Sequence, residues 1–280
     1  MSFEIPQVSP RKTGKATPVV LSIAGSDPCA GAGIQADIKA GAAMGVHVAT
    51  VITAVTAQNS LKLASVYPLP LEQVMAQVTS VIEGLSIQAV KLGMMGNEEC
   101  IVAVSSLLDS LSLPVIVDPV LSATAGGDLL DRHRARELYL EHLLPRATLL
   151  TPNIAEAAFL LSEPEAKDYP AMVRQAQQLR GFGPEAVLLK GGHARDPLVT
   201  DVLITLKGEY PFNGSRVNTA HTHGSGCSLA TAIAAGLAQG LSMQQAVATA
   251  KAFIQGAIAN SERLHLVNSN GPVHALYEFW

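Results

Sequence analysis

The chain has 280 residues, 48% hydrophobic and 15% charged, a balance that excludes a disordered polypeptide and favours a well-buried, sheet-centred core. Its formal net charge of −4 leaves no electrostatic footprint for a nucleic acid or a membrane surface, and no stretch is long and apolar enough to span a bilayer. Cys29, Cys100 and Cys227 are too few and too widely spaced for a disulfide framework or a zinc cluster, which fits a reduced, cytoplasmic setting.

Residues 1–17 hold Glu4, two prolines and three basic side chains but no apolar run, so they read as a flexible N-terminal tail and not as a signal peptide. From residue 18 to residue 280 the pattern predicts one domain, with no linker, internal repeat or low-complexity run. Short apolar runs predict strands over 19–24, 48–54, 89–92, 114–117, 148–151 and 186–190. Amphipathic segments between them predict helices over 33–44, 71–83, 98–110, 129–143, 154–161 and 170–180. Beyond Lys190 the pattern changes: 198–206 and 210–217, joined at Gly208-Glu209, predict an antiparallel hairpin, and helices over 227–238 and 243–259 follow. Continuous Val/Ile/Leu runs mark strands buried on both faces, and the alternation of strand and helix predicts an α/β fold with a mostly parallel sheet.

In open sheets of this kind ligands bind beyond the carboxyl ends of the strands. Each predicted strand exit carries polar or glycine chemistry. These are Gly25 to Gly33, Gln58-Asn59, Gly93 to Gly96, Asp118-Pro119 with a glycine-bearing loop through Gly126-Gly127, Pro152-Asn153 with Glu156 one turn on, and Lys190 to His193.

The run His223-Gly224-Ser225-Gly226-Cys227 leads into an alanine-rich helix. Two glycines permit a tight turn, and the unpaired first-turn N–H groups with the positive end of the helix dipole make an anion cradle. Cys227 stands in it, where a helix N-terminus is expected to lower a thiol pKa. The same residues also fit a plain entry turn with a small packed cysteine. Asn153 and Glu156 have the spacing of an N-cap with its capping-box partner, yet a carboxylate there, with Asp118, also suits the hydrated coordination of Mg²⁺. Lys190 ends a buried-type strand, where a cation would face phosphate. Gly31-Ala32-Gly33-Ile34-Gln35-Ala36 matches a dinucleotide fingerprint, but the loop Ser26 to Ala30 separates it from its strand and no acidic residue ends the second strand. No P-loop motif is present.

Several segments carry a family likeness in order: Ile23-Ala24-Gly25-Ser26-Asp27-Pro28, Gly31-Ala32-Gly33-Ile34-Gln35-Ala36-Asp37-Ile38-Lys39, Thr53-Ala54-Val55-Thr56-Ala57-Gln58-Asn59 and Lys91-Leu92-Gly93-Met94. Val117-Asp118-Pro119-Val120, Thr151-Pro152-Asn153 with Glu156-Ala157, Leu189-Lys190-Gly191-Gly192-His193, Thr222-His223-Gly224-Ser225-Gly226-Cys227 and Gly271-Pro272-Val273-His274 continue it. Together they resemble the hydroxymethylpyrimidine/phosphomethylpyrimidine kinases of thiamine biosynthesis, in the ribokinase superfamily. The resemblance implies a three-layer αβα ribokinase-like kinase domain over 18–280 and a homodimer. It implies ATP-dependent phosphorylation of 4-amino-5-hydroxymethyl-2-methylpyrimidine and then of its monophosphate.

Position by position, the resemblance assigns the pyrimidine to Gly25, Asp37, Gln58, Met94 and Val120. It assigns ATP to Asn153, Glu156, Lys190, Thr219 and Lys251, and Mg²⁺ to Asp118 and Glu156. Gly224, Ser225 and Gly226 would hold the transferring phosphoryl group, and Cys227 would act as the base. The chain departs from the family at Ala220 and Thr124, where lysines are usual, and at Cys29-Ala30 in the first glycine loop; His221 or Lys190 is expected to compensate in part. A pyridoxal kinase is the nearest alternative, and a non-catalytic pyrimidine-binding protein is a third reading motivated by the two lost lysines.

Overall fold

The computed structural model describes residues 16–120, 132–192, 198–266 and 270–280. The expected tail up to residue 15, Thr124, the Gly126-Gly127 loop and His193 lie outside them. In chain order the first half runs β1 (Val19–Ser26), α1 (Gly33–Ala43), β2 (His47–Gln58), β3 (Leu63–Pro68), α2 (Leu71–Gly84), β4 (Ala89–Leu92), α3 (Glu98–Leu108) and β5 (Val115–Val117). The second half runs α4 (Arg132–Leu138), β6 (Leu149–Leu150), α5 (Ile154–Leu161), α6 (Tyr169–Arg180), β7 (Ala186–Leu189), β8 (Leu198–Thr205), β9 (Gly208–Ser215), α7 (Ser225–Ala238) and α8 (Met243–Ala259).

Among the described residues these strands form one nine-stranded sheet in the order β3-β2-β1-β4-β5-β6-β7-β8-β9. Neighbouring strands from β2 through β7 pair in parallel, while β3 and the β8–β9 hairpin are antiparallel edges. Successive strand residues point to opposite faces. Leu21, Ile23 and Val51 therefore join Val74, Ile101, Leu160 and Met172 on the α2–α6 side. Val20, Ile116 and Leu188 join Ala40, Ile233, Val247 and Phe253 on the side of α1, α7 and α8. The expected three-layer αβα fold is present. Because both faces are covered, the central strands are apolar throughout, which is why they read as continuous runs.

Three local differences have physical causes. The strand β3 has exposed or half-buried residues throughout, so it lacks the apolar alternation that marks a strand in sequence. The helix expected over 129–143 is α-helical only over Arg132–Leu138 in the described part and continues as a π-helical turn, Tyr139–Leu143. The helix α7 starts at Ser225, two residues before Cys227, because Gly224 takes φ +76° as its N-cap and turns the chain there. From Ser228 to Gly236 every residue of α7 is buried, and small side chains let α8 approach closely: a Cβ on Gly236 would lie 3.0 Å from that of Ala246.

Candidate active site

The sheet order brings the carboxyl ends of β1, β4, β5, β6 and β7 to one edge. There a cavity of about 560 Å³, within the usual range for a small-molecule site, opens against the N-terminus of α7. Gly25 sits where the β1–β2 register shifts, and a Cβ there would lie 2.5 Å from Cε of Met94. Met94 packs with Ala54, Leu63, Val66 and Val120, and with Gln58 nearby on β2 this forms a flat, mostly apolar end of the cavity.

At the α7 end the chain's charges gather. Lys190 Nζ lies 3.1 Å from Oδ1 of Asp118, which also accepts the Thr151 hydroxyl at 3.0 Å. A Cβ on Gly226 would lie 3.4 Å from that ammonium and 3.5 Å from Asp118 Oδ2, so the glycine loop passes directly over the ion pair. Burial alone would discharge Lys190, but the carboxylates of Asp118 and Glu156 outweigh it and hold its pKa above the usual lysine range. Asn153 and Glu156 form the capping box, and both also line the cavity. The Asn153 side chain accepts the Glu156 N–H and Glu156 Oε2 accepts the Asn153 N–H, each at 2.8 Å. Burial, helped by Asp118, pushes the Glu156 carboxyl up to about 7 against the pull of Lys190.

Lys251 also lines the cavity and pairs with Asp201 of β8, whose other oxygen accepts the Gly191 N–H at 2.8 Å. Ser225, Gly226 and Cys227 occupy the first turn of α7 and line the cavity. The thiol of Cys227 departs from expectation: burial pushes it up to about 11, Asp37 and Asp118 add to that, and Lys91 with the Gly33 backbone opposes it. Position at a helix start does not decide the thiol's acidity here; its desolvation does.

Two of the expected site residues are not in the cavity wall. Asp37 is fully buried beneath it, on the face of α1 turned to the sheet, and accepts hydrogen bonds from Ser22 at 2.6 Å, Thr231 at 2.8 Å and Lys91 at 2.9 Å. Its carboxylate is engaged in that network and does not line the cavity. Thr219 lies outside the cavity wall, and its hydroxyl accepts the His221 N–H at 3.2 Å as a turn residue. His221 in turn accepts the Gly271 N–H on Nδ1 at 2.8 Å and lines a separate cavity with Glu262 and His265, whereas Lys190 lines the cavity at the start of α7. Asp27, Lys91 and His223 enter the sequence analysis only as members of the family motifs, and Asp201 does not enter it. Asp27, Asp201 and His223 line the cavity, and a charged residue in a strand or at a strand exit was the available signal.

Among the described residues no cluster of three or more His, Cys, Asp or Glu could by itself hold a metal. Mg²⁺ needs no such cluster, because it keeps waters and uses one or two carboxylates with substrate phosphates. Asp118 and Glu156 beside an anion cradle fit that chemistry.

An αβα sandwich whose strand-edge cleft joins a flat apolar end to an anion cradle, a lysine and two carboxylates has the parts of a small-molecule phosphotransferase. The chain belongs to the phosphomethylpyrimidine kinase family, whose model, described as "Phosphomethylpyrimidine kinase", matches residues 27–274. The hydroxymethylpyrimidine/phosphomethylpyrimidine kinase of Rhizobium meliloti is 42% identical over 264 residues, covering 94% of this chain and 99% of that protein. Among solved structures, the phosphomethylpyrimidine kinase of Clostridium difficile aligns with a TM-score of 0.76 at 33% identity, over 86% of this chain and all of that one. The pyridoxal kinase of Staphylococcus aureus, solved with AMP-PCP and pyridoxal, aligns with a TM-score of 0.85 at 30% identity, over 94% and 96% of the two chains. The protein is a kinase of this family.

Proposed function

We propose that this chain transfers the terminal phosphoryl group of ATP to 4-amino-5-hydroxymethyl-2-methylpyrimidine and then to the resulting monophosphate, as a step of thiamine biosynthesis. The observation that carries the reading is the single cavity that joins Gly25, Gln58, Met94 and Val120 to Lys190, Asp118 and the Gly224–Cys227 backbone. A glutamine amide offers both donors and an acceptor, which suits an exocyclic amine beside a ring nitrogen. Met94 and Val120 bury the ring faces.

Asn153, Lys190 and Lys251 would take the nucleotide. Asp118 and Glu156 would hold Mg²⁺, which would supply positive charge against the phosphate groups. The N–H groups of the α7 start hold the transferring phosphoryl oxygens, a preorganised arrangement that favours developing charge. Cys227 accepts the hydroxymethyl proton in its thiolate form. The second transfer needs this less, because a phosphate acceptor is already mostly ionised near pH 7. A homodimer in the cytoplasm completes the proposal.

The likeness to a pyridoxal-bound kinase favours one second reading, phosphorylation of pyridoxal. ATP turnover on hydroxymethylpyrimidine, its monophosphate and pyridoxal, run in parallel, separates them. Turnover of the two pyrimidines is expected, and turnover confined to pyridoxal overturns the proposal.

A further inference from the structure

Two buried side chains that the mechanism above leaves unused join the two glycine loops. Asp27 follows Gly25 by two residues and is 1% exposed; His223 directly precedes Gly224 and is 5% exposed. Their contact, His223 Nε2 to Asp27 Oδ2 at 3.0 Å, spans 196 residues of chain. Asp27 also folds its own loop inward, accepting N–H groups of Cys29 at 2.9 Å, Gly31 at 3.0 Å and Ala32 at 2.8 Å. Burial opposes ionisation of Asp27, but His223 and the Cys29 and Ala32 N–H groups outweigh it and hold the carboxyl below the usual carboxylate range. An ionised carboxylate only accepts, so Nε2 of His223 is the donor.

The main chain of His223 is fixed independently: its N–H donates to Gly271 and its carbonyl accepts from Val273. Nδ1 is buried and makes no hydrogen bond within the chain. Glycines make the interlock possible. A Cβ on Gly31 would overlap the His223 ring, and one on Gly224 would overlap the Gly31 carbonyl. The first loop leaves β1 directly after Gly25 and Ser26 and lines the cavity with Asp27 and Ala32, and the second leads into the first turn of α7 at the anion cradle.

We infer that His223 and Asp27 are positioning residues that set the distance between the acceptor's oxygen and the transferring phosphoryl group by clasping the two loops that hold them. Both residues line the cavity, and the role inferred for the clasp is to hold the two loops and not to bind a reactant. It acts through alignment, and alignment errors near 1 Å cost on the order of 100-fold in rate without a matching loss of binding.

The inference rests on the proposed phosphoryl transfer for its kinetic readout, so the test has two arms. In the first, His223→Leu, His223→Gln and Asp27→Asn are compared with wild type on whichever acceptor the wild type phosphorylates best. His223→Leu is expected to lower kcat about 100-fold while KM for ATP and acceptor moves less than about threefold. Glutamine, whose amide nitrogen falls near the position of Nε2, is expected to recover most of that loss. Equal losses in kcat and both KM values, or no advantage of glutamine over leucine, overturns the inference. In the second arm, backbone hydrogen exchange is followed at 27–33 and 224–227 in wild type, His223→Gln and Asp27→Asn. Joint acceleration of both loops in Asp27→Asn, with His223→Gln close to wild type, is expected. Acceleration confined to the mutated loop refutes the clasp even if no pyrimidine is turned over, a result that would by itself count only against the proposed function.

Discussion

The ammonium of Lys190 and the carboxylate of Asp118 meet at 3.1 Å, and the backbone of Gly226 crosses above both. That crossing makes Gly226 the lid of a space sized for anion oxygens. A methyl group added there would sit 3.4 and 3.5 Å from the two charged atoms, close but tolerable in the ligand-free protein. Gly226→Ala is therefore expected to keep its thermal midpoint near wild type while kcat/KM for ATP falls about 100-fold. Unfolding scans beside steady-state kinetics check it, and a variant that loses stability in proportion to activity contradicts it.

Cys227 yields a prediction about pH. With the thiol raised to about 11, its thiolate fraction grows roughly tenfold for each pH unit from about 6 to 9. The first transfer should climb with that slope in single-turnover measurements, and the second, with an acceptor whose second pKa is about 6, should level off above about pH 7. Cys227→Ala should slow the first transfer far more than the second. Parallel pH profiles, or equal losses in both steps, would leave Cys227 as a packed side chain.

Glu156 trades stability for function. Its carboxyl is raised to about 7, so the folded protein favours the protonated form and loses stability as pH rises from the ordinary carboxylate range toward 7. Glu156→Gln keeps an acceptor for the Asn153 N–H but never ionises. Above pH 7 it is expected to raise Tm by roughly 2–4 °C, with the gain fading as pH falls below 7, while Mg²⁺-dependent turnover drops about 100-fold or more. A Tm gain independent of pH would be inconsistent with this origin.

Asp37 and Lys91 are both completely buried and bonded to each other. Removing one partner of such a pair strands the other charge, typically at about 3–5 kcal/mol. Asp37→Ala should therefore show its effect in denaturant unfolding, and the folded fraction should keep a wild-type KM for the pyrimidine. A raised KM with unchanged stability would return Asp37 to the substrate.

Much of this site could be read from sequence because strand exits announce themselves. The glycines ahead of Cys227, Lys190 at the end of an apolar run and the spacing of Asn153 and Glu156 all survive as cavity residues. What was hidden depended on facing and on distance. Asp37 has the right chemistry, but only the folded α1 shows that its side chain points at the sheet. The acidity of Cys227 is a balance between burial and neighbouring charge, and neighbours as remote in sequence as Lys91 and Asp118 enter it. The strand β3 left no signal because neither of its faces is buried.

The strand β1 lies inside the sheet, and the loop that leaves it closes against residues 223 and 271–273, almost the whole chain later. A polypeptide without residues 271–273 lacks the main-chain hydrogen bonds that fix His223 beside the first loop. Contacts of such long sequence separation also make for slow folding. The site therefore depends on a loop closure across 196 residues and not on any local element.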